Sequence, residues 1–145
     1  GLYPIGRVVG ENYGIPYFKL SHPESIHKDG GITLFTDIEK GDEVLCMKGT
    51  VNGIVKRARN VIEAAMKVED LTEDDVSGIL MTFCAGCMLT IGDSIDEANK
   101  SIRESFKSDI PFLSSFTFGE QGTFPGGENC HGNLMISVLL FSNKS

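Results

Sequence analysis

Residues 76–83, VSGILMTF, form a short run in which only Ser77 and Thr82 are polar. An acidic stretch, EDLTEDD (69–75), precedes it, and Cys84-Ala85-Gly86-Cys87 follows. A run of this length and composition reads as a strand buried on both faces. A strand of that kind needs sheet neighbours and a covering layer of helices. The other segments are judged by whether they supply these.

Thr50 opens the clearest helix. Val51, Ile54, Val55, Ala58, Val61, Ile62, Ala65 and Val68 recur at helical spacing, and Lys56, Arg57, Asn60, Glu63 and Lys67 take the opposite side. A second helix is expected from Ser94 to about Lys107. Ser94 and Glu97 fit a capping box, with acidic residues at its start and Lys100, Arg103 and Lys107 later. Residues 15–26 read as an edge strand interrupted by Pro23. ITLFTDI (32–38) and EVLCMKG (43–49) extend it into a meander through HKDGG and EKGD turns. FLSSFTF (112–118) is expected as a strand with its phenylalanines in the core. GEQGTFPGGENCHGN (119–133) reads as a long glycine-rich loop, and LMISVLLF (134–141) as a central or covered strand. The fold class is therefore α+β: a mixed, largely antiparallel sheet with two main helices packed on one face.

The 145 residues suit one domain, 1–145, able to bury its own core. The opening GLYPIGRVVG lacks a start methionine, so the domain is expected to be excised from a longer protein. A net charge of −7 without a basic face argues against nucleic acid. No run approaches the roughly 18 apolar residues of a membrane span. With no secretion signal, the four cysteines are expected to be reduced thiols in the cytoplasm.

Three turns flank the apolar strands: Cys84-Ala85-Gly86-Cys87, Gly119-Glu120-Gln121-Gly122, and Asn129-Cys130-His131-Gly132-Asn133. If they meet, they hold a thiol, a carboxylate and an imidazole in one pocket. Zinc is disfavoured, because adjacent Cys130 and His131 rarely reach one ion. A redox pair needs its first thiol at a helix start, and Ser94 lies ten residues too late. A Cys84/His131 thiol enzyme has the residue types but little sequence specificity. His22 and His27 read as surface turn residues.

Taken in order, three motifs resemble the C-terminal half of the FIST sensory domain family. They are Met81-Thr-Phe-Cys84-Ala-Gly86, Phe116-Thr-Phe-Gly119-Glu120-Gln121-Gly122, and His131 ahead of Leu134 to Phe141. The family often has a basic residue where Cys87 stands, so the two-cysteine spacing reads as incidental and Cys87→Ser is expected to change little. The resemblance implies a non-enzymatic, cytoplasmic, prokaryotic input module for signal transduction. It implies a small-molecule ligand of the amino-acid or related-metabolite class, held by Cys84, Gly86, Thr117, Gly119, Glu120, His131 and Asn133. The 119–133 loop is the expected moving part. An N-terminal FIST half or an output domain is the expected partner. No metal and no cofactor are expected. The alternatives are a haem or nitric-oxide sensor using His131 or Cys84, and a partner-docking module without ligand.

Overall fold

The computed structural model describes residues 1–12, 14–106, 109–123 and 129–144. Five strands open the chain: β1 (Ile5–Asn12), β2 (Ile15–Ser21), β3 (Pro23–Ile26), β4 (Ile32–Leu34) and β5 (Leu45–Cys46). Helix α1 (Val51–Val68) follows, then β6 (Val76–Cys84), α2 (Ala85–Ile91) and α3 (Ile95–Arg103). Strands β7 (Phe112–Thr117), β8 (Glu120–Thr123), β9 (Asn129–Gly132) and β10 (Ile136–Ser142) complete it.

The apolar run is β6, the middle strand of a β10-β6-β7 sheet. It pairs antiparallel with β10 and parallel with β7. Ile79, Met81 and Phe83 occupy one face, with Ile136 opposite Phe83. They pack with Ile54, Ala58 and Ile62 of α1 and with Ala98 and Ile102 of α3. Fully burying a side chain of this size contributes about 1.5–3 kcal/mol, so this layer is the core. The helices cover that face, as the α+β reading requires. A second sheet, β2-β1-β5, is antiparallel throughout, and β3–β4 and β8–β9 are hairpins.

Helix α1 starts where its sequence says. The Thr50 hydroxyl accepts a hydrogen bond from the Gly53 amide at 3.0 Å. Its end is fixed by Asp70, at φ 48°, beyond which the Leu71 amide donates to the Met66 carbonyl at 2.8 Å. That is the left-handed closure that satisfies the last carbonyls of a helix. Removing the cap through Thr50→Ala should cost about 1 kcal/mol, read as a lower midpoint in urea unfolding with an unchanged slope.

Several expectations need correction. The stretch after Cys84 is not a turn: α2 begins at Ala85, and the expected second helix is split into α2, a 3-10 turn at Gly92–Ser94, and α3. Ser94 makes no side-chain capping bond. Its expected end at Lys107 lies outside the described residues. The 119–133 segment is not a loop, because Glu120–Thr123 and Asn129–Gly132 pair as a hairpin; residues 124–128 lie outside the described residues. Strand β10 is an edge strand, not a central one. Phe116 and Phe118 are exposed, the latter at 85%, because β7 is the opposite edge. The 43–49 strand shrinks to two residues and pairs with β1, not with the 32–38 segment, which is a strand only at Ile32–Leu34. Cys46 is exposed on it. Strand β6 is not covered along its whole second face: Leu80 is exposed there.

Candidate functional site

Cys84 ends β6 and is the residue that caps the start of α2. It is 6% exposed, and its cysteine partner Cys87, one turn into α2, is fully buried. Cys84 makes no side-chain capping hydrogen bond to α2, but the neighbouring Cys87 thiol, and after it the backbone N–H groups of Cys87, Gly86 and Leu134, favour its charged form. Gly86 sits close against the site: a Cβ there would lie 3.4 Å from the Cys84 sulfur and 3.4 Å from a Leu134 methyl. N–H and S–H dipoles beside a sulfur stabilise its charged form. The Cys84 thiol is accordingly lowered to about 5, chiefly by the Cys87 hydrogen bond and against the opposing effect of burial. Cys87 moves the other way, upward, because its interaction with the Cys84 sulfur favours its protonated form and burial disfavours its charge.

Leu134 enters this cluster with φ 57°, a left-handed conformation that costs a non-glycine residue about 1–2 kcal/mol. Arg57 of α1 secures it by donating to the Leu134 carbonyl at 2.9 Å. Arg57 therefore faces the site, not the solvent side of the helix, and its charge reaches Cys87.

The β8–β9 hairpin folds over the same strand end. Glu120, the first residue of β8, is 2% exposed. Its carboxyl hydrogen-bonds to Cys84, and the Thr117 hydroxyl donates to Oε1 at 3.0 Å. Burial, then the Cys84 charge, push Glu120 up to about 7. Between about pH 5 and about pH 7 the pair is therefore a thiolate facing a carboxylic acid.

Asn133, between β9 and β10, is buried and ties in the second sheet. Its side-chain oxygen accepts from the His22 amide at 2.9 Å, and its own amide donates to the Leu20 carbonyl at 2.9 Å. His22 stacks on Phe35 at 6.0 Å. Its Nδ1 is buried with no hydrogen-bond partner among the described residues. Burial and the amino-terminal charge lower its pKa, while the Cys84 charge acts in the opposite direction.

Of the residues singled out in the sequence, the structure gathers Cys84, Gly86, Thr117, Glu120 and Asn133. Gly119 is an exposed connector between β7 and β8. His131 is not brought to the thiol: it pairs with Gln121 on the hairpin with its side chain exposed. His22, read from the sequence as a surface turn residue, is the histidine tied to this region, through its amide's hydrogen bond to Asn133. No local signal in Ser21-His22-Pro23 marks it, since that bond is made across 111 residues of chain. Arg57, which the sequence places on the polar side of its helix, and Cys87, whose spacing reads as incidental, also belong to the cluster. Cys84, Cys87 and Ile91 do fall at helical spacing, a signal that could have revealed α2.

Two clefts lie at the other end of β6. One, of about 230 Å³, is lined by Ile79, Arg103 and Phe106 among others. The second, of about 330 Å³, is lined by Leu80, Leu113 and Phe141 among others. Neither touches the Cys84 cluster. Among the described residues, no group of three histidine, cysteine or acidic side chains is placed to hold a metal ion. Among the described residues, no helix is long and apolar enough to cross a membrane.

The ordered motifs and the fold agree with a match to one family. The chain belongs to the FIST C domain family, whose model matches residues 1–123. This is a sensory domain family, common in signalling proteins. His22, Arg57, Cys84, Cys87, Thr117 and Glu120 lie inside the matched segment, whereas His131, Asn133 and β10 lie beyond it. No curated protein and no solved structure matches the chain.

Proposed function

We propose that this domain is a cytoplasmic, non-enzymatic sensory input that binds a small polar metabolite, such as an amino acid, beside Cys84, Glu120 and His22. The observation that carries this reading is the buried Glu120 carboxyl at the Cys84 strand end. A carboxyl group held in low-dielectric surroundings with a pKa near neutrality is poised to ionise when a cation arrives. An ammonium group reaching Glu120 would stabilise its charged form. The Leu134 turn and the Asn133 side chain offer polar contacts for the rest of the molecule. Binding becomes a signal when the ligand favours one of two arrangements. The β8–β9 hairpin, which carries Glu120 and is linked through Asn133 to β2, is the element best placed to differ between them. The parent protein's N-terminal FIST half or its output domain would read that difference.

The test is a thermal-shift screen of the 20 common amino acids and related amines at millimolar concentration. A ligand that binds only the folded state at 100 times its Kd stabilises by about 2.7 kcal/mol, a shift of several degrees. We expect at least one such compound, and we expect Glu120→Gln to abolish its effect while the unliganded variant still melts cooperatively. A stabilising compound that acts equally on the variant would remove Glu120 from the reading.

A partner-docking reading is favoured by a separate observation. On the sheet face away from the helices, Leu113, Leu80 and Leu139 lie directly opposite one another across three strands, all exposed, with Phe141 nearby. Such an apolar row suits the N-terminal FIST half as its cover. Leu139→Asp should then abolish co-purification of the two halves without changing ligand-induced stabilisation. The haem alternative has packing against it: Cys84 lies beneath the hairpin, and His131 stands on the outer side of it.

A further inference from the structure

The geometry points to Cys84 and Cys87 as a peroxide-reactive dithiol pair, in which a small hydroperoxide oxidises Cys84 and Cys87 closes the disulfide. This inference does not depend on the ligand reading. It rests first on placement. Cys84 stands at the N-cap position of α2 and Cys87 in its first turn, three residues apart on adjoining backbone and both buried. Both side chains are on the first helical turn, so rotation about their side-chain bonds is the main motion needed to reach the disulfide separation of about 2.05 Å. Gly86 leaves the space in which the Cys84 sulfur sits.

It rests next on chemistry. The attacking species is a thiolate, and the donors around Cys84 hold it in that form at neutral pH. Its sulfur attacks one oxygen of hydrogen peroxide. A sulfur–oxygen bond forms, the oxygen–oxygen bond breaks, and hydroxide departs. The protonated Glu120 carboxyl, hydrogen-bonded to the same sulfur, gives that hydroxide its proton and water leaves. Cys84 is now a sulfenic acid, oxidised by two electrons. Glu120, now a carboxylate, takes the Cys87 proton; the Cys87 thiolate attacks the Cys84 sulfur, the sulfur–sulfur bond forms, and the departing hydroxide takes that proton from Glu120 and leaves as water. Two thiols and one peroxide become one disulfide and two waters. A dithiol reductant reverses the change by exchange. Access selects the oxidant: at 6% exposure Cys84 admits a small uncharged peroxide, not a peptide disulfide.

The experiment uses the 145-residue chain, reduced and then exposed to equimolar hydrogen peroxide near neutral pH, with thiols mapped by mass spectrometry. We expect Cys84 and Cys87 to be lost together, to return with dithiothreitol, and to react at least about tenfold faster than exposed Cys46. Cys87→Ser should stop at a sulfenic acid on Cys84 that dimedone traps. Cys84→Ser should leave Cys87 reduced. Equal oxidation of Cys46, or passage of Cys84 to sulfinic acid in the unaltered chain without a disulfide, would overturn the inference. Ligand stabilisation measured on reduced Cys87→Ser separates this outcome from that of the ligand reading.

Discussion

Cys87→Ala should move the ionisation of Cys84 upward by more than one pH unit from about 5. The Cys87 thiol is the largest influence on Cys84, and alanine removes that donor while keeping the backbone amide that also reaches the sulfur. The amides of Gly86 and Leu134 remain, so the thiol should stay below its ordinary value of 9.0. Cys87→Ser is the control. A hydroxyl of similar size still donates, so Cys84 should stay acidic in that variant. The measurement is an ultraviolet titration of the thiolate, paired with the pH dependence of iodoacetamide labelling at Cys84. Near pH 6 labelling of Cys87→Ala should be slower on the order of tenfold, because the loss of thiolate outweighs the greater nucleophilicity of a less acidic thiol. Unchanged ionisation in Cys87→Ala would mean that the backbone amides alone set the thiol, and Cys87 would return to being a small buried filler.

That contrast bears on what the sequence could disclose. The core was legible because it is built from local periodicity. Residues 76–83 demand a cover on one face, which they get, and Ile54, Ala58 and Ile62 advertise one helix face. Thr50 and the motif around Cys84 and Glu120 were legible for the same reason, as each is a short pattern with a local cause. The errors fall where a long-range contact overrides local composition. Gly86 lowers helix propensity, yet α2 forms over it because Cys87 and Ile91 bury against the core. Residues 119–133 look like a loop for their glycines, yet they pair as a hairpin over β10, where a Cβ on Gly122 would touch the Ser137 hydroxyl at 3.4 Å. Strand β1 went unread because Gly6 and Gly10 interrupt its pattern. Gly6 is there for packing: a Cβ would lie 2.2 Å from the Met47 sulfur. The site itself was half legible. Cys84 and Glu120 sit on adjacent strand ends, but the choice between His131 and His22 depends on which side of the hairpin faces the sheet, and that is set by tertiary packing.

Glu120→Gln should make the protein relatively more stable as pH rises, the reverse of what loss of a buried hydrogen-bonded residue usually brings. The folded-state pKa of Glu120 is raised to about 7 from an ordinary 4.5, by burial first and by the Cys84 charge second. A raised pKa means that the folded state holds the proton more tightly. The stabilising contribution is fully present below the unfolded value and is lost as pH climbs through the folded one. Across that window the unaltered chain pays on the order of 3 kcal/mol for ionising Glu120 in place. Glutamine never ionises. Its amide can still accept from Thr117 and donate to the Cys84 sulfur, so the local hydrogen bonds survive. Cys84 acts in the opposite sense in both proteins, contributing stability that grows between about pH 5 and pH 9 and is lost as pH falls through the lower value. Subtracting the two stability curves cancels most of it. Urea unfolding from about pH 5 to pH 8 should therefore show the difference, variant minus unaltered chain, rising with pH by roughly 2–3 kcal/mol and flattening above neutrality. A difference that is flat across this range would place Glu120 in contact with water as an ordinary carboxylate. The buried acid at the centre of the proposed ligand site, and the proton it gives to the departing hydroxide, would both have to be abandoned.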